Sequence, residues 1–229
     1  RIALITGASR GIGAAVAKRF AAEGAHPVLV ARTVGGLEEV DDAIRAAGGK
    51  PPTLVPLDLR DFARIDDLGR SLYQRFGRLD VLVANAGQLG TLSPMGHIAP
   101  ETWEAVMAVN VTANYRLIRS LDPLLRASPS GRAIFVSSGA AHGATAYWGV
   151  YAVSKSALEM MVKTYAAEVE KTRLRVNLLN PGAVRTAMRA QAFPGEDPMT
   201  LPAPDDVTDA FVALAEEACT RHGEVVGPG

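Results

Sequence analysis

The sequence has one cysteine, no net charge and no long apolar run, and each shortage removes a class of protein. A lone Cys219 cannot close an internal disulfide, so a disulfide-stapled framework is excluded. So little cysteine suits a reducing compartment, and a cytoplasmic location is the expectation. Lys and Arg total 24 against 24 Asp and Glu, a balance with no general pull toward nucleic acid or an anionic membrane. No apolar stretch approaches the roughly 20 residues that cross a bilayer. The histidines, His26, His97, His142 and His222, lack metal-ligand spacing and have no thiol cluster beside them, so no metal is expected. Arg1 stands directly before a strand pattern with no initiator methionine; a few native residues are expected to precede it, so this stretch is no test of a targeting peptide.

What remains is an ordinary globular composition, 48% hydrophobic and 21% charged, in a chain long enough to bury a substantial core. Short runs rich in Val, Ile and Leu recur: IALIT (2–6), PVLVA (27–31), TLVPL (53–57), DVLVAN (80–85), AIFVSS (133–138) and LRVNLLN (174–180). Between them lie stretches of helical period, Ala14 to Ala22, Leu37 to Ala47, Ile65 to Phe76, Trp103 to Leu125 and Ala152 to Val169. Buried strands alternating with helices predict an α/β fold, a doubly wound parallel sheet covered on both faces. The one break in rhythm is AFPGEDPMTLPAPDD (192–206), where four prolines and a glycine predict a loop or lid. Residues 1–229 therefore read as a single domain, with a substrate loop at about 187–206.

TGASRGIG (6–13) follows the first strand and opens the first helix. Gly7, Gly11 and Gly13 allow backbone angles and close approaches that a side chain would block. The helix N-terminus offers free N–H groups and a partial positive charge to a pyrophosphate. Ser9, Arg10 and Ile12 complete the loop and are candidates to touch the same ligand. A rival reading uses GASRG (7–11) as the G-x-S-x-G elbow of an α/β-hydrolase, with Ser9 as nucleophile, Asp205 or Asp209 as the acid and His222 as base. Position argues against it: that elbow needs an earlier strand and loop for half of its oxyanion hole, and this one follows the first strand.

YAVSK (151–155) puts Tyr151 and Lys155 four residues apart, on one face of a helix. Taken together with TGASRGIG, NAG (85–87), a serine thirteen residues before YAVSK, and PG with a threonine four residues past the glycine (181–186), the sequence resembles the short-chain dehydrogenase/reductase (SDR) family. These motifs occur in order over about four-fifths of the chain. NPGAVRTAMRAQAFPGEDP (180–198) is further similar to the YciK-type bacterial reductases.

The resemblance implies a sheet of seven parallel strands, NAD(P) binding, and a homodimer or homotetramer. Asn85, Ala86 and Gly87 would line the cofactor, Asp58 and Leu59 its adenine, and Pro181, Gly182, Val184 and Thr186 its nicotinamide. Asn110, Ser138, Tyr151 and Lys155 fall at the family's catalytic positions. The family usually closes on a strand and an xDGG-like segment, and here GEVVGPG departs from that pattern.

These residue types suit hydride transfer between a cofactor and a carbonyl or alcohol. Reduction builds negative charge on the carbonyl oxygen, which needs a proton donor in reach. A phenol near pKa 10 is improved by a neighbouring cation, which Lys155 supplies one turn along. Lys155 also brings donors for the nicotinamide ribose. Ser138, at a strand end, is placed to orient the carbonyl, and Asn110, a mediocre helix former inside a helix, to hold a water through its backbone. A non-catalytic NADP-binding sensor or scaffold remains the alternative.

Sites that prefer NAD commonly carry an acid after the second strand, and NADP sites an arginine. Here Ala31 stands at the acidic position with Arg32 next, Arg10 lies in the glycine loop, and no carboxylate follows until Glu38. NADP(H) is therefore favoured over NAD(H). Met95, Trp148, Met188, Phe193 and Met199 point to a moderately apolar carbonyl compound or to plain lid packing. His142 is expected to be structural or close to the substrate, and Tyr147 to be a half-buried packing residue.

Overall fold

Each of the six Val-, Ile- and Leu-rich runs forms a strand, and a seventh comes from the end of the chain. The computed structural model describes residues 1–227. The strands are β1 (Ile2–Thr6), β2 (His26–Ala31), β3 (Thr53–Pro56), β4 (Val81–Ala84), β5 (Arg132–Val136), β6 (Arg175–Leu179) and β7 (Val225–Val226). All pair in parallel, in the order β3-β2-β1-β4-β5-β6-β7. The helices are α1 (Gly11–Ala22), α2 (Val34–Ala46), α3 (Phe62–Phe76), α4 (Pro100–Met107), α5 (Ala113–Ala127), α6 (Gly149–Val169), α7 (Ala187–Ala192) and α8 (Thr208–Ala215).

Successive strand residues point to opposite faces of a sheet, so strands covered on both sides read as continuous apolar runs. Leu4, Val28, Leu82, Phe135 and Val176 meet Leu72 of α3, Leu117 of α5 and Leu158 of α6 on one face. Ile5, Leu29, Val83 and Ile134 meet Val16 of α1, Leu37 of α2 and Phe211 of α8 on the other. Burying each of the large side chains contributes roughly 1.5–3 kcal/mol.

Three departures from the sequence reading have identifiable causes. Helices α1, α2 and α3 begin one turn before their apolar period, because a first turn that faces the cleft or solvent carries no such period. The helix expected over 103–125 is two helices joined by a π-helical turn, Ala108–Thr112. Polar side chains shape that turn: the Asn114 amide donates to the Asn110 carbonyl at 2.8 Å, and the Asn110 side chain turns to the backbone of Gln88. The proline-rich stretch holds the end of α7 and two 3-10 turns, Pro198–Thr200 and Pro204–Val207, rather than a bare loop. The closing segment does yield a strand, since Val225 and Val226 pair with Leu178 and Leu179; the last two residues lie outside the described ones.

Strand β1 sends its connections outward in one direction through β2 and β3, and the chain then returns to β4 on its other side. The order reverses there. In open parallel sheets, ligands bind at such a point, outside the C-terminal ends of the strands.

Candidate active site

A cleft of about 1420 Å³ lies along those strand ends. At one end is the glycine loop. Gly7 has φ +66°, and a side chain there would press on Asn85 and Ala86. A Cβ on Gly13 would overlap the Gly7 carbonyl oxygen, so Gly13 keeps α1 close under the loop without lining the cleft itself. Gly11, at φ +57°, has only the Thr186 methyl near, at 3.6 Å. No side chain caps α1, and its first turn carries no acid, so its leading N–H groups are open to an anion.

Thr6 joins this loop to β4. Its hydroxyl accepts from the N–H groups of Asn85 and Ala86, both at 3.0 Å, while the Asn85 side chain donates to the Thr6 carbonyl at 3.0 Å. Ser9, Arg10 and Ile12 line the same end, with Asn85, Ala86 and Gly87 across from them. Arg32 and Asp58 lie on the adjoining rim, and Leu59 is buried beneath it. One expectation needs correction: a carboxylate does stand near Arg32. Asp58 is held below the usual carboxylate range, mainly by its hydrogen bond to Arg60 (2.7 Å), with a smaller contribution from the Arg32 charge.

The other end gathers the proton-bearing groups. Helix α6 carries Tyr151 and Lys155 on its buried face, 7% and 3% exposed. Ser138 follows β5 and accepts from the Ala140 N–H at 3.3 Å, capping a short 3-10 turn. Burial raises the Tyr151 phenol, and a hydrogen bond with Ser138 works against that rise. Burial lowers Lys155 to about 8, with Glu159 opposing. The expectation that Lys155 pulls the phenol down is thus not met by the protein's own groups. The ammonium lies 5.8 Å from the Tyr151 ring centre and donates to the Val136 carbonyl at 2.8 Å.

Asn110 does not line the cleft. It is 0% exposed, and its amide accepts from the Gln88 N–H at 2.8 Å and donates to the Gln88 carbonyl and to Ser154, each at 2.9 Å. It therefore braces the chain just after Asn85-Ala86-Gly87 against α6. Pro181, Gly182, Val184 and Thr186 line the cleft after β6, and the Thr186 hydroxyl caps α7 through the Arg189 N–H at 3.2 Å.

Helix α7 and the segment after it close over the proton-bearing end. Trp148 packs edge-on to Tyr151, with ring centres 5.9 Å apart, and Phe193 lies 5.6 Å from Trp148. Arg189 stacks on Phe193 at 3.7 Å and forms two 2.6 Å bonds to Glu196. Tyr147 is not a packing residue: it is 60% exposed, with φ 73°, a region disfavoured for a side chain of that size.

Gln88, expected from its place after NAG as a pocket residue, does line the cleft and is the backbone partner of Asn110. Sequence reasoning missed Glu159, four residues after Lys155 and one helical turn away. The hydrolase constellation is not assembled. Asp205 pairs with Lys18 at 3.2 Å and Asp209 with Arg19, while His222 accepts from the Val176 N–H and contacts the Ala166 carbonyl. Among the described residues no cluster of His, Cys, Asp or Glu forms a metal site, and no helix is long and apolar enough to cross a membrane.

The seven-stranded parallel sheet, with a glycine loop after β1 and Tyr151 and Lys155 on the helix after β5, defines a Rossmann-type dehydrogenase. The chain belongs to the short chain dehydrogenase family, whose sequence model matches residues 1–197, and it is an oxidoreductase of the YciK type. It is 41% identical over 223 residues to the oxidoreductase YciK of Escherichia coli K12, an alignment spanning 96% of this chain and 88% of that protein. A short chain dehydrogenase from Escherichia coli CFT073, solved with NADPH, superposes with a TM-score of 0.95 at 39% identity, covering 99% of this chain and 95% of that one. One from Pseudomonas syringae gives 0.96 at 41%, covering 99% and 94%.

Proposed function

We propose that this chain is an NADP(H)-dependent oxidoreductase that moves hydride between the cofactor and a carbonyl or alcohol substrate. The observation that carries the reading is one cleft joining an uncapped, glycine-lined helix N-terminus to Ser138, Tyr151 and Lys155. The residues fit a dinucleotide phosphate: Gly11 leaves room for close approach, and Arg10 and Arg32 are exposed at that end. The E. coli CFT073 relative, solved with NADPH, supports the same cofactor.

A bound NADPH supplies the hydride. Tyr151, a phenol protonated at neutral pH and raised further by burial, donates its phenolic proton to the carbonyl oxygen as charge builds there. Ser138 holds that oxygen and shares a hydrogen bond with the phenol. Lys155, near pKa 8, is mostly an ammonium at pH 7 and serves the ribose hydroxyls. Asn110 acts by fixing Gln88 and, with it, the Asn85-Ala86-Gly87 turn. Trp148, Met188 and Phe193 line the substrate end, which favours an uncharged, moderately apolar carbonyl compound, with residues 187–206 as the substrate loop. A homodimer or homotetramer in the cytoplasm completes the proposal.

NADPH oxidation against a panel of ketones and aldehydes tests it. Tyr151→Phe should lose roughly a hundredfold to ten-thousandfold in turnover, the usual worth of a positioned acid, with NADPH affinity nearly unchanged. Ser9→Ala should keep most activity. Ester hydrolysis that disappears in Ser9→Ala, or a Tyr151→Phe variant as fast as wild type, would overturn the assignment.

A further inference from the structure

One ionised group close behind the proton-bearing face has no part in the chemistry above. Glu159 is 4% exposed, deep in α6, four residues beyond Lys155. A carboxylate so placed is costly unless its lone pairs are met. Here they are. Ser137 donates to Oε1 at 2.5 Å; His142 meets Oε2 at 2.9 Å and Lys163 at 3.3 Å.

We propose that Glu159 is a positioning residue: its carboxylate clamps the end of β5 to the reactive face of α6 and supplies the negative charge beside Lys155. The clamp follows from connectivity. Ser137 immediately precedes Ser138, and His142 follows the short turn that Ser138 caps, so Glu159 grips the chain on both sides of Ser138. Tyr151 and Lys155 stand on the same helix as Glu159, two turns and one turn before it. The distance between the Ser138 hydroxyl and the Tyr151 phenol is thereby fixed by one side chain.

The charge has a second consequence. The groups that face Glu159 are Ser137 just after β5, His142 from the turn beyond it, and Lys163 and Lys155 from α6. Lys163 and His142 reach solvent, with side chains 43% and 52% exposed, whereas Lys155 is enclosed. Burial pushes Glu159 up, but the bonds from Ser137, His142 and Lys163 outweigh it, so the carboxyl stays ionised. Its charge is among the influences that keep Lys155 protonated against its own burial.

The charge and the clamp separate experimentally in Ser137→Ala, which breaks only the bond to the segment after β5 and keeps the charge, whereas Glu159→Gln removes the charge and, with it, the charge-assisted bond that makes the clamp. In protein carrying 13C-labelled lysine, the Lys155 resonance, assigned by its loss in Lys155→Arg, should titrate near pH 8 in wild type. It should move to lower pH in Glu159→Gln and stay in place in Ser137→Ala. An unmoved resonance in Glu159→Gln would overturn the electrostatic half of the proposal.

Turnover of 4-nitrobenzaldehyde with NADPH reads the clamp and rests on the function proposed above. Each variant should lose roughly tenfold to a hundredfold in kcat, the scale of a small misplacement, with little change in KM for NADPH. The double variant should lose little more than Glu159→Gln alone, because both act through one bond. Additive losses, or a wild-type kcat in either variant, would overturn the positioning role. No turnover by wild type would sink the function proposal instead, and the lysine titration would still decide on Glu159.

Discussion

The Lys155 ammonium and the Val136 carbonyl are joined by a 2.8 Å hydrogen bond at the end of β5, in a place closed to solvent. The bond holds the lysine beside Tyr151, and the enclosure sets a cost on its charge. Lys155 falls from 10.5 to about 8 on folding, so between those values the unfolded chain binds more protons than the native one. Stability should therefore rise with pH across that window. Below pH 8 both states are protonated and the full cost, roughly 3 kcal/mol, remains. Lys155→Met removes that charge, and the freed Val136 carbonyl offsets part of the gain. Thermal melts should show Met gaining on Lys at pH 7, with the difference shrinking as pH climbs from 8 toward 10.5. A difference that ignores pH would mean that burial is not what shifts this lysine.

Gly13 tests the architecture of the loop. Its Cβ would overlap the Gly7 carbonyl oxygen and come within 2.7 Å of the Asn85 amide, and neither can swing away. Gly13→Ala should destabilise by about 1–3 kcal/mol, the usual penalty of overpacking, and should weaken NADPH binding. Gly35→Ala, at the exposed start of α2 with nothing within 4 Å, is the control and should be neutral or stabilising by up to about 1 kcal/mol. Equal behaviour of the two variants in denaturant melts would argue against the tight α1–β1 approach.

Cofactor choice is expected to rest on Arg10 and Arg32, both exposed, beside the small Ala31. A charged hydrogen bond to phosphate is worth roughly 1.5–3 kcal/mol, tenfold or more in affinity. Exposure and salt favour the lower end. Wild type should prefer NADPH over NADH by at least about tenfold in kcat/KM. Ala31→Asp with Arg32→Ile should reverse the order, since a carboxylate repels the 2′-phosphate and accepts from the ribose hydroxyl. Equal use of both cofactors by wild type at low salt would make these arginines mere surface charge.

Phe193 is predicted to act on substrate rather than cofactor. It stacks between Trp148 and Arg189 above the Tyr151 end. Phe193→Ala should raise KM for an apolar ketone by roughly tenfold, the worth of one lost aromatic contact, and leave NADPH titration unchanged. A matched rise for polar and apolar substrates would make it a general hinge element instead of a pocket wall.

Much of this molecule was legible before folding because its signals are local. Short continuous apolar runs and period-3.6 hydrophobicity marked the order of strands and helices. TGASRGIG, NAG and YAVSK are contiguous, so their chemistry survives as a string of letters. Helix boundaries were missed by one turn wherever the first turn faces away from the core. The π-turn at Ala108–Thr112 was invisible, because it depends on Asn110 reaching Gln88, and no pattern within one helix reports a partner on another segment.

What the sequence by itself determined was the fold class and the set of reactive groups, since both follow from residue types at short spacing. Only the tertiary structure decided their state. Burial raised the Tyr151 phenol and lowered the Lys155 ammonium, Asp58 came to stand near Arg32, and Glu159 closed on Ser137 and His142 behind the site. Each depends on desolvation or on charges brought together from distant parts of the chain. Those quantities exist only once the chain has folded and water has left.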